Sequence, residues 1–242
     1  MAPDRPSRAR VLGYGAGVAV TERFTDRLRS AADPIWRAQH AHPFVRGIGA
    51  GTLDIDRFGY WVRQDYRFLI EYCRLFALGA ARSPDLATLT KFAELLQTTA
   101  VTEMSLHREL AAGLGITEAQ LEGEAMAPTT QAYTDFLLRT AATGHFSELC
   151  AALLPCIWGF SEIGLELARG PRPADSRLAA WIDSYADPEF AASASWCRNL
   201  VDGLAAGVGP GIRSGMEAAF TTSSRYELAF WEMAWTIERW SV

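Results

Sequence analysis

Apolar and polar positions recur with a helical period along nearly the whole chain, and no convincing run shows the two-residue alternation of a half-buried strand. After a loose start, Thr21 to Gln39 predicts an amphipathic helix ending near His40-Ala41-His42-Pro43. A glycine-rich bend, Gly47-Ile48-Gly49-Ala50-Gly51, leads to Asp54, a suitable helix N-cap. The helix from Asp54 runs to about Arg82 and stops at Ser83-Pro84. Further helices are expected over 86–114, 130–143, 146–168, 176–184, 188–205, 212–220 and 223–240, with turns at Gly170-Pro171-Arg172-Pro173 and Gly207-Val208-Gly209-Pro210. The expected fold is all-α: a single-domain helical bundle over residues 21–242, preceded by a flexible N-terminal extension at 1–20.

Three polar interruptions of this pattern carry candidate chemistry. Ile55, Phe58, Val62, Asp65, Leu69, Tyr72, Phe76 and Gly79 fall on one helix face, with Asp65 in its middle. A buried carboxylate is costly unless it is paired, hydrogen-bonded or protonated. Asp65 is therefore either a structural aspartate tied to a neighbour or a recognition or acid/base carboxylate facing an internal cavity. The stretch from Leu149 to Ser161 contains no charge and reads as a helix buried on most sides. Its Cys156 is either inert filler or a nucleophile kept from water. In the last helix Glu227, Phe230, Ala234 and Ile237 share a face, and Glu238 lies close to it. Periodicity does not choose between the two glutamates, and Ser223-Ser224 leaves a helix-start role open for Glu227. Tyr133 and Tyr185 read alone as core tyrosines with tethered hydroxyls.

Composition narrows the function classes. The chain has 242 residues, 49% of them hydrophobic and 21% charged, in the range of a soluble globular protein. A net charge of −5 argues against nucleic acid as a partner, since phosphate binding needs a basic face. Lys91 is the only lysine and has no special context for Schiff-base chemistry. Cys73, Cys150, Cys156 and Cys197 show no paired spacing, which fits reduced thiols and a cytoplasmic location. Residues 5–18 weakly mimic a signal peptide but lack a clear cleavage site, and no run reaches the roughly 18 apolar residues of a membrane helix, so no membrane partner is expected. Phosphate loops, HExxH and GxSxG are absent, and so is the Glu-x-x-His pair of di-iron bundles. Glu103 and His107 stand one helical turn apart, a pair more typical of a surface or core contact than of a metal site. No metal or cofactor is expected.

The blocks His42-Pro43-Phe44-Val45-Arg46-Gly47-Ile48-Gly49-Ala50-Gly51-Thr52-Leu53, Asp56-Arg57-Phe58 and Gln64-Asp65-Tyr66 resemble the N-terminal signature of the TenA (thiaminase II) family. Glu103 to Glu109, Ala151 to Cys156, and Tyr226-Glu227 with Phe230-Trp231 match further family blocks in the same order, so the resemblance spans Phe24 to Trp240. It implies a haem-oxygenase-like bundle without haem, assembled as a homotetramer. It also implies hydrolysis of 4-amino-5-aminomethyl-2-methylpyrimidine to the hydroxymethyl pyrimidine and ammonia in thiamin salvage, with slower cleavage of thiamin. By the resemblance Cys156 is the nucleophile, and Glu227 the acid/base that protonates the leaving amine and activates water. Asp65 holds the ring amino group and adjacent nitrogen, Tyr133 bonds another ring nitrogen, and Tyr185 holds the Cys156 sulfur. Cys156 sets the chain in the cysteine-bearing branch. Phe68 and Phe160 stand where relatives often carry tyrosine, so their stacking on substrate survives while a hydroxyl is lost. The competing expectations are a non-catalytic ligand-binding or regulatory member of the family, and a haem or metal oxidase on the same bundle, against which the shortage of histidines counts.

Overall fold

A computed structural model describes residues 22–241, so the extension expected at 1–20 lies outside the described residues. Twelve α-helices and one π-helical turn account for nearly all of them, with no strand among the described residues. The helices are α1 (Phe24–Ala31), α2 (Asp33–Ala41), α3 (Pro43–Ala50), α4 (Ile55–Ala81), α5 (Leu86–Thr98), α6 (Met104–Ala112), α7 (Glu118–Glu122), α8 (Pro128–Thr143), α9 (Phe146–Leu167), α10 (Ser176–Tyr185), α11 (Pro188–Gly207) and α12 (Pro210–Thr236). The all-α expectation holds.

The N-terminal region is more broken than its periodicity suggests. The expected helix to Gln39 divides at Ala32, and the expected glycine bend is itself a helix, α3. The glycines that suggested a turn are there for space. A Cβ on Gly49 would lie 2.7 Å from Leu167 Cδ2, so a bare backbone lets α3 rest on the end of α9. Only Gly51, with φ of 68°, acts as a left-handed terminator. Asp54 caps α4 as expected, its carboxylate accepting from the Asp56 and Arg57 amides.

Two other differences concern continuity. The expected helix over 86–114 is a rod interrupted by a π-turn at Thr99–Glu103, which joins α5 to α6. The two expected C-terminal helices are one, α12. Ser223 and Ser224 sit inside it and turn their hydroxyls sideways, to Tyr133 and to the Trp36 ring nitrogen, instead of capping.

Helix α9 is the axis of the bundle, packing against α8, α10, α11 and α12, while α4 packs against α5, α6, α8 and α12. By length and composition α9 is apolar enough to cross a membrane, contrary to the expectation, but 72% of that window is buried inside the bundle. Its composition is that of a core helix enclosed on all sides. One contiguous core joins both layers and includes the fully buried Trp61, Trp181 and Trp231. Those three rings stack or meet edge-on at centroid distances of 6.0–6.3 Å and form the floor beneath Phe160.

Candidate active site

The two central helices present their polar residues to a common cavity of about 1110 Å³. Asp65, Phe68 and Tyr72 follow at three- and four-residue spacing on α4, and Cys156 and Phe160 are one turn apart on α9. All five line the cavity, together with Tyr185 at the end of α10 and Glu103 at the end of the π-turn. Behind this wall stand Tyr133, whose ring lies 5.1 Å from that of Phe68, and Glu227, which bonds Tyr133. The seven residues singled out from the sequence therefore come together at one place.

Of the four cysteines Cys156 alone lines this cavity; Cys73 is half-buried but lies outside it. Cys150 and Cys197 are 1% and 2% exposed and sealed in the core, whereas Cys156 keeps 9% at the cavity wall. It follows Pro155, which has no N–H to give the Ala151 carbonyl. Burial pushes the Cys156 thiol well above its ordinary range, and the neighbouring carboxyl groups of Glu227, Glu103 and Asp65 push it further. The group is therefore a thiol at neutral pH, and any attack by the sulfur requires its proton to move.

Glu227 is poised differently from an ordinary carboxylate. It is 3% exposed, and burial raises its pKa to about 8. Hydrogen bonding from Tyr133 and the contact with the Cys156 thiol pull it back, while the charge of Asp65 raises it. The Tyr133 hydroxyl donates to Glu227 Oε1 at 2.5 Å and lies 2.8 Å from Ser223 Oγ. With Oε1 accepting, the proton of the neutral acid resides on Oε2. Burial keeps the Tyr133 phenol itself protonated, so it remains a donor. The choice between the two glutamates is thus made by the fold. Ile237 turns left-handed and ends α12, and Glu238 then leaves the site to accept from the Thr129 amide at 2.9 Å.

Asp65 has a partner that sequence reading missed. Its Oδ2 lies 2.6 Å from His107 Nε2, and His107 Nδ1 lies 2.9 Å from the Glu103 carbonyl oxygen. Both ring nitrogens face acceptors, so both must carry hydrogen, and the ring is an imidazolium. Burial opposes that charge. The hydrogen bond and charge of Asp65, together with the charge of Glu103, outweigh it and raise the histidine pKa. The pair is a buried ion pair, since His107 is fully buried and Asp65 nearly so. It leaves the other carboxylate oxygen of Asp65 available as a fixed acceptor.

Tyr185 departs from expectation. Its hydroxyl donates to Glu103 Oε1 at 3.4 Å, and the tyrosine whose hydroxyl moderates the rise of the Cys156 pKa is Tyr72. Tyr72 donates its one hydroxyl hydrogen to the Leu153 carbonyl at 2.8 Å, which fixes its hydroxyl beside the thiol. Phe160 packs on Tyr185 at 4.9 Å, and Phe68 packs between Tyr72 and Tyr133, so both phenylalanines offer faces for a flat ring. Tyr72 lies on the same predicted stripe as Asp65, so its position was readable; its hydroxyl's target was not.

The profile of the TENA/THI-4/PQQC family matches residues 29–237. An aminopyrimidine aminohydrolase from Halalkalibacterium halodurans is 42% identical over 90% of this chain and 98% of its own length. Among solved structures, a TenA homologue from P. horikoshii OT3 superposes with a TM-score of 0.82 at 28% identity, covering 89% of this chain and 99% of that one. A domain with a heme oxygenase-like fold from Shewanella denitrificans superposes with a TM-score of 0.64 at 13% identity, a likeness of fold alone.

Proposed function

The chain belongs to the TENA/THI-4/PQQC family, and from that premise we propose that it is an aminopyrimidine aminohydrolase (thiaminase II) acting in thiamin salvage. It is a hydrolase of C–N bonds that converts 4-amino-5-aminomethyl-2-methylpyrimidine and water into the hydroxymethyl pyrimidine and ammonia. Thiamin is the alternative substrate. The observation that carries the reading is the Cys156 thiol at the wall of an apolar cavity, beside a Glu227 kept protonated by burial and opposite the Asp65–His107 ion pair.

In this reading Phe68 and Phe160 sandwich the ring while Asp65 accepts from its amino group and Tyr133 bonds a ring nitrogen. Cys156 sulfur adds to the ring, its proton passing to the ring system, and the aromaticity lost lets the exocyclic C–N bond break. The ammonium leaves as ammonia, which takes the proton of Glu227 and departs as NH4+, and the carboxylate so formed takes a proton from the water that adds to the methylene. Departure of the sulfur restores the ring and the thiol. Tyr72 and Tyr185 hold the thiol and Glu103 in position. A protein that only bound its ligand would gain nothing from a thiol and a neutral acid side by side.

A cytoplasmic location and a homotetramer belong to the same proposal. Four unpaired cysteines suit the first, and the exposed Leu86, Leu89 and Val101 on the α5 rod suit burial in an assembly. Incubating the purified protein with the aminomethylpyrimidine and, separately, with thiamin, and following ammonia and the hydroxymethyl pyrimidine by mass, tests the assignment. Stoichiometric release from the aminomethylpyrimidine supports it; turnover of neither compound refutes it.

A further inference from the structure

The carboxyls around the cavity differ in what balances them. Asp65 has the His107 imidazolium at 2.6 Å. Glu227 is a neutral acid set behind the wall and bonded to Tyr133. Glu103 lines the cavity, its carboxylate accepts from the Tyr185 hydroxyl at 3.4 Å, and burial raises its pKa to about 7, so that it is an anion above neutral pH. Among the described residues no arginine or lysine forms an ion pair with it, and the cation that acts on it most, His107, spends its Nε2 on Asp65 and its Nδ1 on the Glu103 backbone. Glu103 is carried there by the π-turn at Thr99–Glu103, whose extra residue re-aims the rod where it passes the cavity. Such interruptions of a helix are costly and concentrate at functional sites.

Resting on the function proposed above, we propose that Glu103 is the specificity residue for a positive charge on the substituent that is replaced. The ammonium of the aminomethylpyrimidine and the thiazolium of thiamin both carry that charge one methylene from the ring. The substituent is attached to the carbon next to the one bearing the amino group. A ring whose amino group is held by Asp65 therefore presents its cation to the cavity wall beside Asp65, where His107 links Asp65 to the Glu103 main-chain carbonyl and Glu103 lines the same cavity. The hydroxymethyl product carries no charge at this place, so the same residue separates substrate from product. Periodicity alone could not show this, because the pairing that commits the His107 N–H to Asp65 links residues 42 positions apart.

Calorimetric binding on a Cys156→Ala background, which removes turnover, tests the assignment. At pH 8 the aminomethylpyrimidine should bind about tenfold or more tightly than the hydroxymethyl pyrimidine, the scale of one charge-assisted contact. Adding Glu103→Gln should bring that ratio close to one while changing the alcohol's Kd by less than about twofold. Glu103→Asp, which keeps the charge on a shorter arm, should hold an intermediate preference and guards against a folding defect in the glutamine variant. A preference for the amine that survives Glu103→Gln overturns the inference and leaves the proposed function standing. Failure of either pyrimidine to bind the Cys156→Ala protein with Glu103 intact overturns the function itself, and the inference with it.

Discussion

Glu227→Gln should make the protein more stable and less active, and the size of the gain follows from burial. The folded-state pKa of Glu227 is about 8 against an ordinary 4.5, with burial as the main cause. Between those two values the folded protein holds the proton more tightly than the unfolded chain. Its contribution is therefore fully present below pH 4.5 and is lost as pH rises through 8. At about 1.4 kcal/mol per pKa unit the loss has a ceiling of roughly 5 kcal/mol, and relaxation around the new charge brings it to about 2–3 kcal/mol. Glutamine keeps the volume and the acceptor oxygen for the Tyr133 hydroxyl but has no proton to lose. The variant should match the parent at pH 5 and exceed it by about 2–3 kcal/mol at pH 9, or about 5–10 °C in Tm for a domain of this size. Denaturation of the two proteins at both pH values measures the difference, because titrating groups out of reach of position 227 cancel between them. Identical pH dependence in parent and variant would refute the reasoning, since Glu227 would then ionise in the folded protein as it does in the unfolded chain.

Other outcomes follow from the same geometry. Tyr133→Phe removes the hydrogen bond that lowers the Glu227 pKa, so the ionisation assigned to Glu227 in the kcat pH profile should move upward; an unmoved profile counts against the pairing. His107→Leu leaves the Asp65 carboxylate buried without its cation and should cost about 3–5 kcal/mol in urea unfolding, with KM for the pyrimidine rising more than kcat falls. Gly164→Ala sets a Cβ 2.5 Å from the Tyr185 carbonyl carbon and should cost about 1–3 kcal/mol while displacing Tyr185 and lowering activity; a neutral result would mean that α9 and α10 part more easily than their packing suggests.

Features fixed by local spacing were legible in the sequence, and features fixed by tertiary contact were not. The stripe through Asp65 and Tyr72 emerges as a buried face of α4 apart from the exposed Ile55, and Leu149 to Ser161 is buried apart from Trp158. Gly47 and Gly49 misled because punctuation by glycine looks the same in sequence whether it serves a turn or a close helix crossing. Ser223-Ser224 misled for a related reason: a hydroxyl that caps and one that bonds a distant tyrosine are the same residue type. Glu103 and His107 were visible as a helical-turn pair, but their meaning depends on Asp65, which only the packing of α4 on α6 brings within 2.6 Å. Cys156 and Glu227 acquired roles through the family resemblance, and the structure adds the physical conditions those roles need: wall access for the thiol and a proton held on the acid.

The central claim is that the Cys156 sulfur forms the bond that opens the pyrimidine to hydrolysis. Ammonia release from the aminomethylpyrimidine, measured for the parent, Cys156→Ala and Cys156→Ser at matched thermal stability, tests it most directly. The account predicts a loss of about a thousandfold or more in kcat for alanine, with the serine variant nearly as inactive and pyrimidine binding retained. Turnover by Cys156→Ala within a few-fold of the parent would contradict it.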